Sequence, residues 1–126
     1  MIEPILEQTF RADGSLAAEW YLADGVAQDP SPDVPAHRAY WASGGLMQEV
    51  HFANGSFQDP LQGKPCWRQF FESGELQSEA RYVAGLRQDA PDGTPAVRVF
   101  RKDGEISFEE RFVNGIRVQD PLFRAA

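Results

Sequence analysis

PCWRQFFESGELQSEARYVAGLRQDAPDG, residues 65–93, decides the fold, because near-copies of it stand on both sides. Gly74, Leu76, Glu79, Tyr82, Gly85, Gln88 and Asp89 recur thirty residues earlier as Gly44, Leu46, Glu49, Phe52, Gly55, Gln58 and Asp59. Thirty earlier again stand Gly14, Leu16, Glu19, Leu22, Gly25, Gln28 and Asp29. Downstream the series runs Gly104, Ile106, Glu109, Phe112 and Gly115, after which one extra residue displaces the last pair to Gln119 and Asp120. A period of this length marks a repeat architecture, in which each unit buries its apolar face on its neighbours. The units run approximately over 5–34, 35–64, 65–94 and 95–126, and together form a single repeat domain over 1–126.

Within a unit the punctuation points to strands. PAHRAYW (35–41), PCWRQFF (65–71) and PAVRVF (95–100) are short, aromatic or branched, and led by proline, which suits the start of a strand. Ile2, Ile5, Leu6 and Phe10 supply the first strand without that lead. A turn follows at Asp13-Gly14, Ser43-Gly44, Ser73-Gly74 and Asp103-Gly104, read as a primed hairpin turn with glycine at positive φ. The next segment alternates with period two, as in Leu76, Ser78, Ala80 and Tyr82, giving one mainly apolar face. A second turn falls at Asp24-Gly25, Asn54-Gly55, Ala84-Gly85 and Asn114-Gly115, followed by a short third strand. Connectors such as QDPLQGKPC return the chain to the next unit, with Asp29, Asp59 and Asp89 available to bond nearby backbone amides. The tail residues Leu122 and Phe123 are expected to cap the last unit. The fold class is thus all-β, a repetitive antiparallel β-hairpin meander with a 30-residue period.

A two-residue loop at Ser73-Gly74 places Arg68 opposite Glu79, and the same construction pairs Arg38 with Glu49 and Arg98 with Glu109. A four-residue loop keeps these pairs, whereas a bulged three-residue loop does not. Opposite charges across a ladder contribute a few tenths to about 1 kcal/mol and pin the register. We therefore read Arg38, Glu49, Arg68, Glu79, Arg98 and Glu109 as a structural ladder. Phe70, Tyr40 and Phe100 share the parity of the arginines, while Trp67 and Phe71 lie on the other side, so both faces carry aromatics.

Twelve basic against 19 acidic residues give a formal charge of −7. That balance opposes binding to nucleic acid or anionic lipid and favours a basic protein partner. Cys66 is alone, so no intrachain disulfide forms, and its place in the alanine column of Ala36 and Ala96 reads as a small core residue. No apolar run approaches a membrane span, no signal segment is expected at MIEPILEQTF, and cytoplasmic residence is the default. His37 and His51 do not recur, so no metal set and no cofactor is expected. Evenly spaced glutamates argue against an acid–base pair, which needs unequal environments. No catalytic residue is assigned, and the candidate interaction surface is Trp41, His51, Trp67 and Phe71.

FFESGELQSEARYVAG and FRKDGEISFEERFVNG resemble the variant MORN repeats of bacterial antitoxin-like proteins. The match runs through Phe70, Gly74, Leu76, Tyr82 and Gly85, then Phe100, Gly104, Ile106, Phe112 and Gly115. The resemblance implies hairpins joined into an elongated antiparallel sheet. The longer period and the QDPxxGxPA connector depart from the standard repeat, and lipid binding is not carried over. The expected function is a non-enzymatic protein-interaction module of the immunity or antitoxin type, inhibiting a basic toxin. The alternatives are a self-associating structural or assembly protein, and a hydrolase or carbohydrate-binding protein.

Overall fold

Both turns of each unit form, but by different chemistry. A computed structural model describes residues 3–61 and 63–118. The strands are β1 (Ile5–Phe10), β2 (Leu16–Ala23), β3 (Val26–Ala27), β4 (His37–Tyr40), β5 (Leu46–Val50), β6 (Phe52–Ala53) and β7 (Ser56–Phe57). They continue as β8 (Trp67–Phe70), β9 (Leu76–Ala80), β10 (Tyr82–Val83), β11 (Leu86–Arg87), β12 (Val97–Phe100), β13 (Ile106–Val113) and β14 (Ile116–Val118). Among the described residues there is no helix. The main sheet is antiparallel in the order β1-β2-β4-β5-β8-β9-β12-β13-β14, with β3 on β2, while β6-β7 and β10-β11 form separate hairpins. The tail with Leu122 and Phe123 lies outside the described residues.

The second turn is the two-residue primed type. Ala53 pairs with Ser56 and Val83 with Leu86, and both loop residues have positive φ: 49° and 83° at Asn54-Gly55, 52° and 84° at Ala84-Gly85. Gly115 is also held by close approach, since a Cβ there would lie 3.2 Å from Leu86 Cδ2 of the preceding unit. Ala84 is the exception in the series, because a Cβ in the left-handed region is strained where aspartate and asparagine tolerate it. Ala84→Asn is therefore expected to raise stability by about 0.5–1 kcal/mol, read as a higher urea midpoint at unchanged slope.

The first turn corrects the primed two-residue reading. Phe71 N–H donates to Glu75 O (2.9 Å) and Gly74 N–H to Phe71 O (2.9 Å), closing a three-residue loop in which only the glycine has positive φ. Asp13 Oδ1 accepts from Ser15 N–H and Asp103 Oδ1 from Glu105 N–H, both at 2.9 Å, so the residue before the glycine locks this longer loop. Such a loop alone shifts the register by one. The shift is undone within the same hairpin: Phe70 pairs with Leu76, but Gln69 pairs with Ser78, leaving Gln77 as an extra residue. Ala17, Met47 and Ser107 are the same insertion in the other units. The bulge restores the expected charge pairs despite the unexpected loop.

Beyond the bulge the rows are continuous. Glu19 faces Arg38, Arg38 faces Glu49, Glu49 faces Arg68, Arg68 faces Glu79, Glu79 faces Arg98, and Arg98 faces Glu109. The adjacent row, on the other face, carries Trp20, His37, Val50, Trp67 and Ala80. That face is covered by the second hairpins. Phe52, Phe57 and Tyr82 pack with Val50, Cys66, Trp67 and Ala80, with aromatic centroids 4.9–5.9 Å apart from Trp20 through Phe52 and Phe57 to Trp67 and Tyr82. Cys66 is fully buried there, its thiol pushed up to about 12 by burial. On the opposite face the guanidinium groups of Arg68 and Arg98 lie over the rings of Phe70 and Phe100 at 5.7 and 5.5 Å.

Candidate functional site

The repeated Gln-Asp pair is a staple between units. Asp59 Oδ1 accepts from Cys66 N–H at 2.8 Å, closing its own connector, and from Tyr82 N–H at 2.9 Å in the next unit. Asp29 does the same with Ala36 and Phe52, and Asp89 with Ala96 and Phe112. Beside it, Gln58 Oε1 accepts from Ala84 N–H (2.8 Å), as Gln28 does from Asn54 and Gln88 from Asn114. The aspartates thus reach farther than the local turn read from sequence. Burial raises the pKa of Asp59, against the opposing pull of the Tyr82 and Cys66 N–H groups and of Arg81.

The second carboxylate oxygen meets whatever occupies one column. His51 Nδ1 donates to Asp29 Oδ2 at 2.6 Å, while Arg81 lies 4.0 Å from Asp59 and Arg111 lies 3.7 Å from Asp89. Both arginines also donate to a connector carbonyl, Arg81 to Gly63 O (2.8 Å) and Arg111 to Gly93 O (2.7 Å). His51 is therefore a buried connector partner, 4% exposed, rather than a group presented outward. Trp67 belongs to the core cluster. Trp41 and Phe71 sit half-buried at the bases of the first turns, Phe71 with Lys102 Nζ 5.8 Å from its ring centroid. Of the four residues of the candidate surface, His51 is buried and Trp67 packs against the core, while Trp41 and Phe71 are half-buried.

The ladder residues do converge, and their closest contacts join units rather than hairpin partners. Arg98 Nη2 bonds Glu79 Oε1 at 2.9 Å and Arg68 Nη2 bonds Glu49 Oε1, each reaching back to the preceding unit. Glu49 and Glu79 are buried, and Arg81 Nη2 adds a second cation 3.8 Å from Glu79. Tyr40 Oη donates to Glu19 Oε1 at 2.7 Å, and burial together with that bond pushes its pKa up to about 12. These are structural contacts, in which Arg81 Nε and Arg98 Nε are buried without a hydrogen-bond partner. Among the described residues, no three His, Cys, Asp or Glu side chains gather as a metal-ligand set.

The His37 imidazole is held from three sides. It stacks on Trp20 with centroids 4.0 Å apart, donates from Nδ1 to Glu19 O (3.1 Å), and accepts at Nε2 from Gln48 Nε2 (3.2 Å). Burial lowers its pKa below 6.5, with the Glu19 carbonyl and carboxylate opposing. The unfolded chain then takes up this proton first, so the stability His37 allows is complete above about pH 6.5 and is lost as pH falls toward the folded value. Urea unfolding between about pH 7 and 5 is expected to show a slope that shrinks by up to about 1.4 kcal/mol per pH unit in His37→Gln. An identical pH profile in the variant contradicts this.

Sequence reasoning passed over the distribution of charge. Residues 1–61 contain nine carboxylates and two arginines, whereas 62–126 contain ten of each sign, so the whole formal charge of −7 resides in the first half. Both arginines of that half are engaged, Arg11 with the carbonyls of Leu16 (2.9 Å) and Tyr40, Arg38 beside Glu19 and Glu49. Glu3, Glu7, Asp13, Asp24 and Asp33 are exposed there, with no exposed lysine or arginine among described residues 3–61. The same half holds an open groove of roughly 550 Å³ between two connectors, walled by Gln28–Pro32 and Gln58–Leu61 and floored by Phe52 and Ala53. Leu61 stands at its rim, 77% exposed. A count of charge by halves finds this asymmetry in sequence; the groove needs the connectors placed side by side. Comparison with protein-family models, curated proteins and solved structures finds no match to this chain.

Proposed function

We propose that the protein is a non-enzymatic interaction module that holds a basic surface of a partner protein against its acidic N-terminal half. Its MORN-like sequence pattern suggests the immunity or antitoxin type of inhibitor. The observation that carries this reading is the uncompensated charge of residues 1–61, a half that holds five exposed carboxylates and an open groove and whose two arginines are already engaged. An uncompensated field of this kind speeds encounter with an opposite charge and loses that advantage as salt rises. The staples and the buried ladder hold the groove walls before a partner arrives, which lowers the ordering penalty of association.

The test is capture of partners from the native cells by the tagged protein at low and moderate salt, followed by association kinetics with the purified partner. Glu7→Lys combined with Asp33→Lys, both at exposed positions, is expected to slow association about tenfold at low salt and much less at high salt. A retained partner whose association ignores both salt and these reversals rules out the electrostatic reading. Recovery of the bait alone removes the inhibitor reading.

A further inference from the structure

The groove between the first two connectors owes its shape to residues that the later units lack. Where its floor has Ala53, the third and fourth units carry Val83 and Val113. Where its wall has Pro60 and Leu61, the third connector carries Ala90 and Pro91. That connector folds on itself, Ala90 N–H donating to Thr94 O and Gly93 N–H to Ala90 O, both at 2.9 Å, and Ala90 is buried. The small floor and the walls stiffened by Pro30, Pro32 and Pro60 are therefore features of this junction rather than of the period.

The polar lining of the groove is already engaged by the fold. Gln28 accepts from Asn54 N–H at 2.7 Å and donates to Asp29 O at 3.3 Å. Gln58 accepts from Ala84 N–H at 2.8 Å and donates to Asp59 O at 3.4 Å. Asp29 meets Ala36 and Phe52 with one oxygen and His51 with the other. Phe52 is fixed as well, its ring packed between Trp20 and Phe57 with centroids 5.7 and 5.2 Å away. What such a groove offers an occupant is apolar surface, from Pro30, Pro32, Phe52, Ala53, Pro60 and Leu61. The charge beside it is acidic on the first connector, where exposed Asp33 directly follows Pro32. Lys64, exposed beyond Leu61, is the opposing charge on the second connector.

We propose that this groove takes one aromatic side chain of the basic partner, presented next to a lysine or arginine. The inference rests on the function proposed above for the partner's charge, and adds the anchor. An aromatic ring brings a large apolar area on two side-chain torsions, so a slot with rigid walls holds it at a small ordering cost. Buried aromatic anchors of this kind carry much of the energy at protein interfaces. The neighbouring cation meets Asp33. Charge then governs the rate of encounter, and the ring governs how long the complex lasts.

The probes are acetyl-Lys-Phe-Lys-amide and acetyl-Lys-Ser-Lys-amide, titrated into the full chain and followed by amide NMR shifts. The phenylalanine peptide is expected to give saturable binding, with shifts centred on 28–32, 52–53 and 58–61. The serine peptide is expected to bind at least tenfold more weakly. Ala53→Trp, which fills the floor, is expected to weaken the phenylalanine peptide about tenfold. Leu61→Ser, at an exposed rim position where folding is not at stake, is expected to weaken it severalfold. Equal binding of the two peptides leaves charge as the whole interaction and overturns the anchor while sparing the electrostatic reading. Recovery of the bait alone in the capture experiment removes that reading without altering the titration. The absence of saturable binding, shifts that map elsewhere, or indifference to both variants overturns the proposal.

Discussion

Asp59→Ala is expected to remove about 3–5 kcal/mol of stability, because one carboxylate oxygen accepts from two backbone donors. Cys66 N–H and Tyr82 N–H belong to buried residues at the centre of the core cluster. Leaving both unpaired incurs the desolvation penalty of each, about 1–3 kcal/mol apiece. With total stabilities of about 5–15 kcal/mol for native domains, the variant is expected to melt about 10–20 °C lower or to unfold outright. Asp59→Asn separates geometry from charge. Its amide oxygen can still accept both bonds, and burial already disfavours the ionised carboxylate, so it is expected to retain most of the stability. Equal damage from alanine and asparagine would mean that the charge beside Arg81, rather than the pair of amide bonds, is what holds the corner.

The second large effect is expected at Glu79. Its carboxylate is 6% exposed and faces two cations, Arg98 at 2.9 Å and Arg81 at 3.8 Å. Removal of one partner from such a group leaves charge without compensation, so Glu79→Ala is expected to destabilise by about 3 kcal/mol. Arg98 is partly solvated, and Arg98→Ala is expected to be milder. The double variant is expected to be less destabilised than the sum of the two, which a urea-denaturation cycle measures directly. Additive losses would place the two side chains in separate interactions. The same cycle on Arg68 and Glu79, opposed in register but without a close contact, is expected to give a smaller coupling than Arg98 with Glu79.

Much of the hairpin organisation was legible because turn residues act locally. Asn54-Gly55 and Asn114-Gly115 demand two consecutive positive φ values, and only a primed two-residue loop supplies them at a hairpin. Ser73-Gly74 carries the same glycine but resolves differently, since the neighbouring loop bonds select a three-residue turn. The register nevertheless came out as read, through an insertion at Gln77 that has no compositional mark: its counterparts are alanine, methionine and serine. The staples were half visible. Gln58 and Asp59 recur at fixed stations, but their distant partners are main-chain N–H groups of Ala84 and Tyr82, which no side-chain pattern identifies. His51 stands in the column of Arg81 and Arg111. Its contact with Asp29, equivalent to that of Arg81 with Asp59, draws it inside.

The staples also give the molecule a direction. Each glutamine and aspartate accepts only from residues that come later in the chain, 7, 23 and 26 positions on. A chain emerging from the ribosome therefore completes the acceptors of one unit before the donors of the next exist, and every new hairpin meets a finished edge rather than an unmade one. Shortening from the C-terminal end should leave the earlier junctions intact, whereas removal of the first unit strips Phe52 and Asn54 of the oxygens that receive their N–H groups. Assembly is thereby matched to the order of synthesis, and the two ends of the protein differ in what their loss leaves behind.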